Sequence, residues 1–265
     1  MRRLLIAFLL LSPGMVRAQQ VVQPPATAET FEDRLSWALA QRGEATILWT
    51  VDSQAMMSSW SENDPPLREV LGLSDGDPAQ AAIMLRLEGG SVVHIRTQRL
   101  DSPAVERRPE ERRRPIRWLG AATQSESFAA LSGLSVSGRA IRGRLYAYGI
   151  LSDVPAAGRV VSDALVSSES VDLRKAAAYA LGRHSGNDAI ERLKRASLED
   201  PSVDVSKAAG YAIGAVNTPE ALTALQDLIA RHTSREIRKA AVYAVGNLDL
   251  PEARMYLLEL ARTEQ

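Results

Sequence analysis

Three segments of this chain repeat at a spacing of 32 residues: Leu173-Arg-Lys-Ala-Ala-Ala-Tyr-Ala-Leu-Gly182, Val205-Ser-Lys-Ala-Ala-Gly-Tyr-Ala-Ile-Gly214 and Ile237-Arg-Lys-Ala-Ala-Val-Tyr-Ala-Val-Gly246. A degenerate copy precedes them, in which Tyr146, Ala147 and Gly149 match Tyr179, Ala180 and Gly182 at a spacing of 33. A unit of this size cannot bury its apolar face alone, so it must stack on copies of itself. Such arrays chiefly offer an extended surface, which shifts the functional expectation from catalysis toward binding.

Each unit reads as two antiparallel helices. In the helix with the Tyr-Ala-x-Gly signature, Ala176, Ala177 and Ala180 lie three and four apart and share a face, as do Ala208, Ala209 and Ala212, and Ala240, Ala241 and Ala244. Gly182, Gly214 and Gly246 follow the last turn, where a left-handed cap is expected of glycine. The second helix starts at Asp188-Ala189, Glu220-Ala221 and Glu252-Ala253, with Pro219 and Pro251 just before the last two. Proline in a first turn followed by an acid is a helix-start pattern. Leu193, Leu225 and Leu257 recur as its core positions.

This pattern, closed by a helix carrying Ala and Leu, resembles the HEAT repeat, and most of all the short HEAT-like repeats named from phycobilisome lyases. The likeness covers about residues 139–265. Trp118-Leu119-Gly120 with the Ser-Glu-Ser helix after it is similar to the segment ahead of the repeats in exported bacterial HEAT-repeat proteins. The resemblance implies an α-solenoid that binds other proteins. It does not imply lyase activity, and no bilin-holding residue carries over.

Ahead of the repeats the pattern differs. Glu29 to Arg42 places Phe31, Leu35, Ala38 and Leu39 on one helical face, ended by Gly43. Thr46–Val51, Ala82–Leu87, Ser91–Leu100 and Ile116–Leu119 read as strands, the middle two joined as a hairpin through Glu88-Gly89-Gly90. The expected fold is α+β: a flexible tail over 19–28, a small domain with an antiparallel sheet over 29–121, and an α-solenoid of about four repeats over 122–265.

The first residues bear on location. Arg2 and Arg3 precede an apolar run from Leu4 to Leu11, and Val16 and Ala18 put small residues before Gln19. This is the form of a secretory signal peptide cut after Ala18, which predicts a periplasmic or secreted protein. The run is shorter than the ~20 residues a membrane span needs. No cysteine is present, so disulfides, thiolate nucleophiles and Cys-ligated metals are excluded. The chain balances 32 basic against 32 acidic residues. Loss of Arg2, Arg3 and Arg17 leaves a slightly acidic chain, which argues against general nucleic-acid binding.

Two charged rows share the repeat period. Asp172, Asp204 and Glu236 form one, and Lys175, Lys207 and Lys239 the other, three residues along. Each acid falls in a first turn, where the helix dipole favours it, and is expected to pair with its lysine at i+3. Arg174 and Arg238 flank the lysines, while Ser206 breaks their series. Arg174, Lys175, Lys207, Arg238 and Lys239 are the candidate partner-binding residues. Positions that break the phase, namely Ser206, Gly210, His184 and Tyr256, are expected to carry specificity.

Catalytic patterns fare poorly. Gly72-Leu73-Ser74-Asp75-Gly76 matches the nucleophile-elbow string, but Leu67–Leu71 before it is helical rather than strand-like and Asp77-Pro78 follows. His94, His184 and His232 are not paired at helical spacing, so no metal site is expected, and no cofactor fingerprint exists. The arginine-rich run 106–117 alternates with acids and prolines and reads as a solvated loop. The expected function is a non-catalytic adaptor or regulator in the bacterial cell envelope that binds a protein partner through the solenoid. The alternatives are a hydrolase with its site in residues 29–121 and the repeats as docking arm, or a purely structural envelope component.

Overall fold

The computed structural model describes residues 20–53, 67–73, 81–100, 114–184 and 186–263. The signal-peptide segment, Ser74 to Gly76 of the elbow string and most of the arginine-rich run lie outside the described residues.

Among the described residues, five strands form one sheet in the order β1-β5-β2-β3-β4: β1 (Val21–Val22), β2 (Ala45–Val51), β3 (Ala81–Glu88), β4 (Ser91–Arg99) and β5 (Ile116–Ala122). The β2–β3 and β3–β4 pairs are antiparallel, with Gly89 and Gly90 at positive φ in the hairpin turn. The sheet is mixed rather than antiparallel, because β5 returns beyond β2 and pairs with it in parallel, as β1 does with β5. A strand's residue pattern does not state its direction, and β5, buried at Ile116 to Leu119, suits a central parallel position. Its register slips between Leu48 and Thr50, where Gly120 at φ +80 absorbs the extra residue of a bulge. The expected flexible tail also needs correction, since Val21 and Val22 are the sheet's edge strand.

Both sheet faces are covered. Helix α1 (Phe31–Ala40), capped by Thr30 and Asp33 in a reciprocal box, buries Phe31, Leu35 and Ala38 on one face. Phe31 meets Trp49 edge-to-face at 5.6 Å, and the Trp49 indole donates to Ser127 Oγ at 3.0 Å. The opposite face packs Leu48, Met84, Ile116 and Trp118 with Leu67 of the short helix α2 (Leu67–Val70). Arg114 and Arg117 correct the solvated-loop expectation at its end. Arg114 bridges Glu44 (2.9 Å) and Glu88 (3.0 Å). Arg117, buried in β5, donates to the carbonyls of Ala38 (2.7 Å) and Arg42 (3.0 Å) at the end of α1.

After α3 (Gln124–Gly133) come four helix pairs. The inner helices are α4 (Arg139–Gly149), α6 (Val171–Leu181), α8 (Val203–Gly214) and α10 (Arg235–Gly246). The outer ones are α5 (Pro155–Ser167), α7 (Asn187–Glu199), α9 (Pro219–Arg231) and α11 (Pro251–Thr263). Inner helices stack in sequence, α4 on α6 on α8 on α10, and α4 also lies against β4. The alanine rows are buried between them, so one apolar core runs from the sheet through the repeats. No helix among the described residues is long and apolar enough to cross a membrane.

The glycines do not form left-handed caps. Gly182 sits at φ −63, ψ −6, and Gly214 and Gly246 end their helices without positive φ. Their role is close approach. A Cβ on Gly182 would stand 2.5 Å from the carbonyl oxygen of Ala212, and one on Gly214 2.6 Å from that of Ala244. Gly149 meets Ala180 in the same way, and a Cβ on Gly143 would run into the carbonyl oxygen of Ile95. The small faces of successive helices thus meet at backbone distance.

Candidate functional groove

The repeat period that stacks the alanines also aligns the tyrosines. Tyr146, Tyr179 and Tyr211, one from each successive inner helix, line a groove of about 1090 Å³. Tyr243 extends the row, with its ring edge-on to Tyr211 at a centroid separation of 5.7 Å. Tyr146 and Tyr211 are half-buried, whereas Tyr179 is 37% and Tyr243 66% exposed. Large rings left this open are unusual in a packed helix array and supply contact area at low entropic cost. Burial, followed by the neighbouring Tyr146 and Tyr211 and by Asp204, pushes the Tyr179 phenol above its ordinary pKa.

The floor and far wall come from loops. Gly182, Arg183 and Ala215 to Asn217 lie at the ends of inner helices, Asp52 and Ser53 follow β2, Gln124 begins α3, and Asp153 lies in the connection from α4 to α5. The wall is held firmly. Ser53 Oγ donates to the Ile150 carbonyl at 2.7 Å, and Gln124 Nε2 donates to the Asp52 carbonyl (3.0 Å) and to Asp153 (2.8 Å). The opening is therefore shared by sheet and repeats.

The five candidate partner-binding residues divide into two kinds. Arg174 forks onto Asp200 through Nε and Nη2 (2.8 and 3.0 Å) and donates to the carbonyls of Ser168 and Glu169. Arg238 repeats the second contact two array steps later, on the carbonyls of His232 (2.7 Å) and Thr233 (2.9 Å). Both arginines tie loops. Lys175, Lys207 and Lys239 instead stand one helical turn before Tyr179, Tyr211 and Tyr243, on the same helix face. The Lys207 ammonium reaches Glu236 of the next repeat at 3.8 Å, so this rung runs between repeats rather than to Asp204 at i−3.

Three of the four phase-breaking positions turn inward. Ser206 is buried and donates to the Asp200 carbonyl at 3.3 Å, reaching the same loop that Arg174 grips through its carboxylate. Gly210 is buried against Ser197, whose hydroxyl is 3.7 Å from where a Cβ would stand. His184 replaces a core aliphatic and sets its Nε2 3.1 Å from the Tyr148 carbonyl. Tyr256 is half-buried on α11, and burial raises its pKa. The informative exception is Arg183, which the sequence reading passed over. It stands in phase with Ile150, Ala215 and Asn247, so its departure from the repeat was visible. No group of three or more metal-type ligands occurs among the described residues.

Comparison with known proteins agrees with the repeat geometry. The model for "HEAT repeats" matches residues 195–265, and that for "PBS lyase HEAT-like repeat" matches residues 173–199. No curated protein matches the chain. Among solved structures, the complex of CpcE and CpcF of phycocyanin lyase from Nostoc sp. PCC7120 is similar at 20% identity, covering 46% of this chain and 83% of that one, with a TM-score of 0.37. Residues 173–265, with their 32-residue period and stacked helix pairs, are repeats of the HEAT family.

Proposed function

We propose that this protein is a non-catalytic adaptor or regulator of the bacterial cell envelope, exported by its first 18 residues, which docks a protein partner in the tyrosine-lined groove. The observation that carries the reading is the row Tyr146, Tyr179 and Tyr211 along one opening, extended at the array's own spacing by Tyr243 against Tyr211. Aromatic anchors in a shared concavity are the usual energetic centre of an interface. Lys175, Lys207 and Lys239, one turn away, would guide an acidic partner by long-range attraction.

Site-specific photocrosslinking in intact cells tests this. A photoreactive residue at Tyr179 or Tyr243 is expected to trap one defined protein, and the same residue at exposed Glu191 on α7 is expected to trap none. Adducts from Glu191 alone, or from no position, would remove the groove as the docking surface. N-terminal sequencing of the protein from the same cells should begin near Gln19, and a start at Met1 would reject export.

A further inference from the structure

Arg183 is an unmatched charge in a half-closed place. Its Nη1 is sealed from solvent and has no hydrogen-bond partner, and no side chain among the described residues forms an ion pair with the guanidinium. Burial draws its pKa below the ordinary arginine value, against a small opposing effect from Tyr146. A guanidinium removed from water without an anion is costly, and folded chains rarely keep one idle. The acids bordering the same groove are directed elsewhere. Asp153 accepts from Gln124 at 2.8 Å, and Asp249 pairs with Arg254 at 3.1 Å.

The cationic character continues past Tyr146. That ring also borders a second hollow of about 350 Å³ between β4 and α4, onto which Arg96, Arg139 and Arg142 face. None of these three makes an ion pair among the described residues. In the first repeat, Arg139 and Arg142 occupy the phase of Asp172 and Lys175, so the acid of the later rungs is replaced there by a second cation. At the other end of the groove, Asn247 offers a side-chain amide that makes no hydrogen bond among the described residues, a group suited to a peptide backbone.

We infer that Arg183 is the anchor for a carboxylate side chain of an extended peptide segment of the partner protein, laid along the tyrosine row with further acidic residues reaching Arg96, Arg139 and Arg142. Arginine meets a carboxylate with two parallel N–H donors, which fixes the position of the segment as well as holding it. The acids at the groove margin, Asp52, Asp153 and Asp249, disfavour a polyphosphate chain, whereas a peptide has N–H groups to offer them. The inference rests on the docking function proposed above and narrows it to an acidic ligand.

Selection of a random 12-residue peptide library on the whole protein separates the two claims. Enriched peptides are expected to share an Asp or Glu at one fixed position. They should lose about tenfold or more in affinity, by fluorescence anisotropy, on Arg183→Gln. Arg183→Lys, which keeps the charge without the fork, should fall between the two. Arg183→Met is expected to keep or raise Tm, because the guanidinium has no internal partner to lose, and a Tm lowered by several degrees would overturn the inference. Peptides that bind the groove without an acidic position, or whose affinity survives Arg183→Gln, would overturn it and leave groove docking intact. No enrichment at all would reject both.

Discussion

The imidazole of His184 bonds the carbonyl oxygen of Tyr148 at 3.1 Å from within the repeat core, at the position that Leu151 and Leu248 fill in other repeats. Gly158 makes the room, since a Cβ there would come 3.3 Å from Nδ1. Burial lowers the His184 pKa below its ordinary 6.5, partly offset by the bond to Tyr148. The unfolded chain therefore binds the proton more readily than the folded one. Stability is fully present above pH ~6.5 and falls as the pH drops below it. Urea unfolding at pH 7.5 and pH 5 should show this loss in the native chain, and a smaller one in His184→Leu.

The inner-helix glycines are not equivalent. Gly182→Ala and Gly214→Ala each force a methyl against a neighbouring carbonyl and should cost roughly 1–3 kcal/mol by overpacking. At Gly246 the nearest atom to a Cβ is Leu257 Cδ1 at 4.0 Å, ordinary contact. Gly246→Ala should be neutral or gain up to about 1 kcal/mol from helix propensity. Denaturant midpoints of the three variants measure the contrast.

Arg174 and Asp200 form a fork with side chains 11% and 7% exposed. The hydrogen bond to Asp200 raises the arginine pKa further, against burial. Arg174→Ala leaves the Asp200 carboxylate with only the Ser202 N–H (2.8 Å) and should cost about 1–3 kcal/mol. Arg238→Ala removes carbonyl ties only and should cost less. A double-mutant cycle of Arg174→Ala with Asp200→Ala should show a strong coupling between the two positions.

Tyr243 is mostly exposed and packs edge-on to Tyr211. Tyr243→Ala should leave the melting temperature within a degree or two while reducing the crosslinked adduct formed from position 179 by about tenfold. Retention of the full adduct yield would exclude this ring as an anchor.

The solenoid was readable because its period is carried by residue size, with Ala, Gly and Tyr recurring where helices touch. Strand positions were also legible, and β3 and β4 fall within a residue of their expected ends. Strand direction was not, because Ile116 to Ala122 has the same composition whether it runs with or against β2. The glycine role was misjudged for a related reason. A left-handed cap and a close helix contact both require a missing Cβ, and only the neighbour at Ala212 or Ala244 tells them apart. Phase-breaking was the right signal, yet it points inward as often as outward. His184 and Arg183 adjoin in sequence, one filling the core and the other facing the groove.

The meeting of Gly143 with the Ile95 carbonyl gives the stack a foundation: the sheet stands where a preceding repeat would otherwise be. A repeat added at the far end, beyond α11, would leave this contact untouched. Each 32-residue duplication there would add one tyrosine to the row without disturbing the wall built by Asp52, Ser53 and Asp153. In this design the length of the tyrosine row is counted in repeats, while the sheet fixes the point from which the count begins.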